Sequence, residues 1–157
     1  MAFEIERKFL VLSDAYKQEA FTNTLVKQGY LSSQPERSVR VRQKGDKAYL
    51  TVKGLSNENG TTRFEWEKEI STTEAQDLFK LCEPGMIEKN RFEVRCGHFV
   101  FEIDEFLGEN EGLVMAEIEL ETENDEFEKP AWLGKELTGN KHYYNSYLIS
   151  NPYKNWK

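Results

Sequence analysis

The stretch Phe3, Glu4, Ile5, Glu6, Arg7, Lys8, Phe9, Leu10 alternates with a period of two. One face carries Phe3, Ile5 and Phe9 with Arg7 among them; the other carries Glu4, Glu6 and Lys8, then Leu10. Such alternation specifies a strand with unlike sides. It also constrains the fold, because neighbouring strands must present matching faces and a one-residue slip would turn every side chain over. A surface strand turns its charges to water and its apolar side to a core. Two carboxylates and an ammonium on one face suit a second arrangement, in which they grip a metal and a phosphate. The strand alone leaves both open.

The pattern recurs along the chain. From Arg37 to Arg42, Val39 and Val41 share one face and Ser38, Arg40 and Arg42 the other. Gly45 and Asp46 form a plausible two-residue hairpin turn, with a return strand over residues 47–53. With that turn, Lys44 faces Lys47, Arg42 faces Tyr49, Arg40 faces Thr51, Val41 faces Leu50 and Val39 faces Val52. Opposed residues lie on the same side of an antiparallel pair, so the valines and leucine agree on one face and Lys53 joins Arg40 and Arg42 on the other. A second hairpin is expected around Gly97 and His98. There Arg91 faces Asp104, Glu93 faces Glu102, Phe92 faces Ile103 and Val94 faces Phe101, and Lys89 falls on the charged side.

Further strands are expected over residues 25–31, 61–70 and 113–122. The second of these segregates Arg63, Glu65, Glu67 and Glu69 from Phe64, Trp66 and Ile70; the third segregates Glu117, Glu119 and Glu121 from Ala116, Ile118 and Leu120. Ser71 followed by Glu74 fits a capping box, with a helix running to about Cys82 and Leu78, Phe79 and Leu81 as its apolar side. Ser13 or Asp14 can cap a short helix reaching about Thr22, Trp132, Leu133 and Leu137 suggest another, and residues 143–150 a last turn or two.

The 157 residues suit one domain, 1–157, with 13% aromatic content arguing against disorder despite 31% charged residues. A net charge of -7 disfavours a nucleic-acid or membrane-surface partner. No apolar run approaches the ~20 residues of a membrane span, and Cys82 and Cys96 suggest neither zinc site nor disulfide scaffold. The expectation is a cytoplasmic protein.

About eight strands in hairpin order suggest an antiparallel barrel or a strongly curved sheet. With apolar side chains in the lumen it would be lipocalin-like; with apolar side chains outside, under helices or a partner, the lumen would be charged. Cations collect at Arg40, Arg42, Lys53, Lys89 and Arg91, and acids at Glu4, Glu6, Glu65, Glu67, Glu102, Asp104, Glu117 and Glu119. A solvated surface more often mixes signs. Facing clusters of carboxylates and guanidiniums suit a metal–polyphosphate complex. The alternation itself still permits either arrangement.

With its strands laid out, the chain resembles the CYTH superfamily, the triphosphate tunnel metalloenzymes. The Glu-x-Glu-x-Lys signature stands at Glu4, Glu6 and Lys8. Similar segments follow at Gln28-Gly29-Tyr30-Leu31, Arg40-Val41-Arg42, Thr51-Val52-Lys53-Gly54, Glu65-Trp66-Glu67, Lys89-Asn90-Arg91 and Glu117-Ile118-Glu119. The tail from Thr138 to Ser146 resembles the bacterial tripolyphosphatase branch.

The resemblance implies a mainly β, α+β fold: a closed eight-stranded antiparallel tunnel with a charged interior and helices packed outside. It implies divalent-metal-dependent hydrolysis of a triphosphate, inorganic tripolyphosphate first and nucleoside triphosphates second, with Mg2+ or Mn2+ and a homodimer. An adenylyl cyclase on the same scaffold and a noncatalytic polyphosphate-binding module remain as alternatives. By the same resemblance Glu4, Glu6, Glu117 and Glu119 are metal ligands. Glu65 and Glu67 are ligands or partners of basic residues, and Asp104 is either a ligand or the partner of Arg91. Lys8, Arg40, Arg42, Lys53, Lys89 and Arg91 bind phosphate oxygens, Arg bidentately and Lys as a point charge. Lys8, Lys89 and Glu67 are the catalytic candidates, with a glutamate or Lys89 taking the proton of the attacking water. His142 and Tyr143 belong to a segment that lines or closes one tunnel end.

Overall fold

The computed structural model describes residues 3–156; the ends of the expected 1–157 domain, residues 1, 2 and 157, lie outside the described residues. Eight antiparallel strands close into a barrel: β1 (Phe3–Val11), β2 (Thr22–Ser32), β3 (Ser38–Lys44), β4 (Lys47–Ser56), β5 (Thr62–Ile70), β6 (Ile87–Cys96), β7 (Phe99–Phe106) and β8 (Val114–Glu119). Their order around the wall is β5-β4-β3-β2-β6-β7-β8-β1, and pairing of β1 with β5 closes the ring.

Both hairpins adopt the register expected from alternation. Arg42 opposes Tyr49 and Arg40 opposes Thr51; Arg91 opposes Asp104 and Phe92 opposes Ile103. Gly45 and Gly97 sit at positive φ in the two turns, a conformation glycine adopts without a Cβ penalty. Glu93 and Glu102 are opposed, and each has a cation at hand: Lys44 lies 3.6 Å from Glu93 and Arg91 3.3 Å from Glu102.

The long apolar faces point outward and are covered in two places. Phe9, Phe101, Ile103, Ala116 and Ile118 pack with Tyr16 of α1 (Tyr16–Glu19) and with Trp132. Val41 and Ala48 pack under Ala75 of α2 (Thr72–Phe79). Ile87, Phe106 and Met115 instead share the inward face with Lys89 and Asp104, and they pack with Leu148 and Ile149 of the C-terminal segment, which closes that end of the barrel. The capping box at Ser71 and Glu74 is formed in both directions. The lipocalin-like alternative is therefore excluded: beyond that closed end, the interior belongs to the charged faces.

Four expectations are corrected. Residues 133–136 form a ninth strand, β9 (Leu133–Glu136), not a helix. It pairs with the second half of β1, outside the ring. Gly134 weakens helix formation there, and its α-carbon lies so close to the Leu10 carbonyl that an added Cβ would stand 3.0 Å from it. The first helix is only Tyr16–Glu19, because Ala20 is extended and the Phe21 amide donates to the Glu93 carbonyl at 2.9 Å, which feeds the chain into β2. Strand β8 ends at Glu119 rather than 122; the amides of Glu121 and Thr122 turn aside to the Asp125 carboxylate at 2.8 and 3.0 Å. Helix α2 ends at Phe79, and Leu81 is exposed instead of packed.

Candidate active site

β1 brings its inward face to two neighbours at once. Glu6 lies opposite Glu119 and Lys8 opposite Glu117 on β8; Glu4 lies opposite Arg63 on β5. β4 and β5 set Lys53 opposite Glu65 and Thr51 opposite Glu67. The result is a cavity of about 310 Å³ inside the barrel. Glu4, Glu6, Glu65, Glu67, Glu117 and Glu119 line it from one side, and Lys8, Arg40, Arg42, Lys53, Lys89 and Arg91 are in the same lining. Asp104 is not. It sits behind the basic wall, 2% exposed, accepting from Arg91 through Nε and Nη2 at 2.8 and 2.9 Å and pairing with Lys89 at 2.8 Å.

The two walls differ electrostatically. Burial works to raise Glu4, but the Lys53 ammonium, donating to both its oxygens at 2.8 and 3.0 Å, holds it below the ordinary carboxylate range. Glu6 is pushed well above that range by burial and by Glu117 and Glu4 beside it. Glu117 shares a hydrogen bond with Glu6 yet goes down, to about 2: burial opposes this, and Lys8 and the Glu6 proton overcome it. Glu65 rises to about 7 through burial and the neighbouring Glu4. On the basic wall, burial and then the positive charges of Arg91 and Arg42 pull Lys89 down to about 7 against the attraction of Asp104. Asp104 is held far below its ordinary value: burial would raise it, but Arg91 and Lys89 prevail.

The lumen also uses residues to which the strand pattern assigned no role. The Thr51 hydroxyl donates to Glu67 at 2.8 Å and accepts from Arg40 at 3.3 Å. Register did place Thr51 opposite Arg40, so that signal was present. Gln28, fully buried, accepts from Arg42 Nε at 3.1 Å. Asn145 accepts from Lys89 at 2.7 Å and from Gln28 at 2.9 Å. It lies in α3 (Asn145–Leu148), outside any strand, where alternation carries no information. Of the tail, Thr138, Gly139, Tyr144, Asn145 and Ser146 line the cavity; His142 and Tyr143 do not, and Tyr143 packs against the apolar cluster that closes this end. Tyr143 contributes only its carbonyl, which accepts from Lys8 at 3.2 Å.

A closed antiparallel barrel with apolar side chains outside and opposed acidic and basic walls within defines a tunnel built for a polyanion and its counter-cation. A family model for the CYTH domain matches residues 2–147, and the chain belongs to that family. It is 52% identical over 158 residues to an inorganic triphosphatase of Acetivibrio thermocellus, a match spanning 100% of this chain and 99% of that one. It is 33% identical over 149 residues to an inorganic triphosphatase of Nitrosomonas europaea, spanning 92% and 95%. A crystal structure of an inorganic triphosphatase aligns over 95% of each chain with 31% identity and a TM-score of 0.63.

Membership of this family implies a divalent metal. Among the described residues no three acidic, histidine or cysteine side chains converge as a ready-made cage. The Glu6–Glu117 pair nevertheless fits a hard cation. Its donors are all carboxylate oxygens, and burial with the neighbouring Glu117 and Glu4 raises Glu6, a repulsion that a cation between the carboxylates would relieve. Magnesium commonly takes one or two carboxylates and completes its sphere with phosphate and water.

Proposed function

We propose that this chain, as a single domain over residues 1–157, hydrolyses a triphosphate with Mg2+ or Mn2+, with inorganic tripolyphosphate as its preferred substrate. The observation that carries this reading is the division of one enclosed cavity into a carboxylate wall and a cation wall. The full-length similarity to inorganic triphosphatases favours hydrolysis over cyclisation.

In this reading Glu6 and Glu117, with Glu4 and Glu119 beside them, hold the divalent ion, and Glu65 keeps Lys53 in place from 3.6 Å. The bound ion supplies polarisation of the phosphoanhydride and a more acidic water. Arg40, Arg42, Lys53, Arg91 and Lys8 bind the non-bridging oxygens and offset charge as it moves to the leaving group. Arg40 Nε is buried without a partner among the described residues, as expected of a donor reserved for an anion. Water attacks the terminal phosphorus, the bridging P–O bond breaks, and its electron pair leaves with diphosphate. Glu67, exposed to the lumen and oriented by Thr51, takes the proton of the water. Lys89, the lumen cation drawn nearest to neutrality, steadies the leaving oxygen. Asp104 holds Lys89 and Arg91 rather than a metal.

Purified protein with magnesium or manganese, supplied separately with tripolyphosphate, ATP and thiamine triphosphate, tests the reading. Phosphate release fastest with tripolyphosphate is expected. Cyclic AMP with pyrophosphate from ATP would establish a cyclase, and triphosphate binding without turnover a binding module.

A homodimer is part of the proposal. Phe3 and Phe64 meet edge to face on the outer wall, and Trp66 beside them on β5 is 44% exposed, in a place no helix covers. Exposed aromatic surface of this kind marks contact sites. Trp66→Glu is expected to shift the protein from dimer to monomer in sedimentation velocity with the fold retained. A wild-type monomer at all concentrations overturns the dimer. Among the described residues no helix is long and apolar enough to cross a membrane; the cytoplasm is the compartment proposed.

A further inference from the structure

The C-terminal segment does more than close the barrel. Arg42 Nε donates to Gln28 Oε1 at 3.1 Å, Gln28 Nε2 donates to Asn145 Oδ1 at 2.9 Å, and Lys89 Nζ donates to the same oxygen at 2.7 Å. The direction of this chain is fixed chemically. A guanidinium and an ammonium carry donors and no acceptor, so only an oxygen can face each. Gln28 must therefore turn its carbonyl to Arg42 and its NH₂ to Asn145, whose carbonyl serves two donors. Lys89 has Asp104 on its other side at 2.8 Å. With only Asp104, the flexible four-carbon stem could swing the ammonium about one anchor; the Asn145 oxygen supplies a second and defines its position. Gln28 and Lys89 are both within 1% of full burial, so water is a poor substitute for the missing acceptor.

We infer that Asn145 is a positioning residue for the reaction, holding Lys89 directly and Arg42 through Gln28 against the substrate phosphates. The inference rests on the triphosphatase reading. Asparagine suits the task better than aspartate because it offers the same oxygen without adding negative charge beside a polyanion.

The test is steady-state hydrolysis of tripolyphosphate by Asn145→Ala, Asn145→Asp and, as a control in the same segment, His142→Ala, whose side chain is exposed and outside the cavity lining. Asn145→Ala is expected to lower kcat by about tenfold to a hundredfold, the cost of loosening groups around a reacting centre, with KM changed less than about threefold. Asn145→Asp keeps the acceptor: kcat is expected to recover to within about threefold of wild type, while KM rises because the new charge repels substrate. His142→Ala stays within about twofold. A kcat for Asn145→Ala near wild type overturns the inference. So does an equal fall in both Asn145 variants that tracks their melting temperatures, since that is what a purely structural role would give. Wild-type protein that hydrolyses no triphosphate overturns the functional reading instead. In that event the ¹⁵Nζ resonance of Lys89 decides the inference: a signal unchanged by Asn145→Ala refutes it, and one lost to fast solvent exchange upholds it.

Discussion

Glu6→Gln is expected to reduce metal-dependent hydrolysis by at least about a hundredfold while leaving the barrel folded, since losing the carboxylate that seats a divalent ion removes several kcal/mol of charge stabilisation in the transition state. The second half of that expectation follows from the environment of Glu6. Burial and two neighbouring carboxylates raise it well above its ordinary value. A carboxyl group raised on folding supports the fold below its unfolded value and loses that support as pH rises through the folded one. Above its unfolded value Glu6 therefore costs the barrel stability, a cost that a neutral amide of the same shape does not carry. The variant's melting temperature in chelator should equal or exceed that of wild type. Thermal melts followed by circular dichroism, beside phosphate release, give both numbers. Undiminished turnover would remove Glu6 from the site; a collapsed variant would show that its role is structural.

Asp104→Ala carries the largest expected loss of stability, about 3–5 kcal/mol, because removing one member of a buried ion cluster strands the others. Here two buried cations lose a carboxylate, Lys89 at 1% exposure its one ion-pair partner among the described residues and Arg91 at 4% the nearer of two. Asp104 is held below its ordinary value, so its contribution is present above the unfolded carboxylate value and is lost only as pH falls through the folded one, in strong acid. Lys89 shapes the rest of the profile. In wild type it changes charge at about 7, and without the Asp104 anion it gives up its proton lower still. The difference between wild type and variant should thus be greatest in mildly acidic solution, narrow as pH rises to about 7, and stay level beyond. Urea titrations at several pH values read this directly. A loss below about 1 kcal/mol at pH 6 would mean that water reaches the cluster and Asp104 is no keystone of the basic wall.

These two residues also show how far the strands could be read before the fold was known. Glu6 was legible as a site residue because it alternates with Phe3, Ile5 and Phe9 within a motif, and the period of a strand says which side chains share a face. Asp104 was legible only as one of two things, ligand or partner of Arg91. Alternation put it on the charged face, and cross-strand register put it opposite Arg91, but depth is not a property of register. Asp104, opposite Met115 at the closed end of the barrel, is covered by Lys89 and Arg91, while Glu102, two residues earlier on the same face, lines the cavity.

Local chemistry determined what depends on neighbours in the chain: the two hairpin registers, the capping box at Ser71 and Glu74, and the segregation of charge from apolar surface. Closure was not local. The ring shuts through three paired positions between β1 and β5, residues 57 to 61 apart in sequence. Whether charges face in or out depends on which side the helices cover. The ninth strand was missed for the same reason. Leu133 and Leu137 have helical spacing, but the unpaired edge of β1 and the close approach at Gly134 exist only once the barrel has formed. Asn145 marks the limit most clearly: it belongs to no periodic element, and its oxygen meets Lys89, 56 residues away, because packing of Leu148 and Ile149 onto the apolar cluster at the barrel's closed end brings it there. Sequence alone specified the two chemical faces of this protein; tertiary structure decided which face became the inside and which side chains hold its cations in place, since both depend on contacts between residues far apart in the chain.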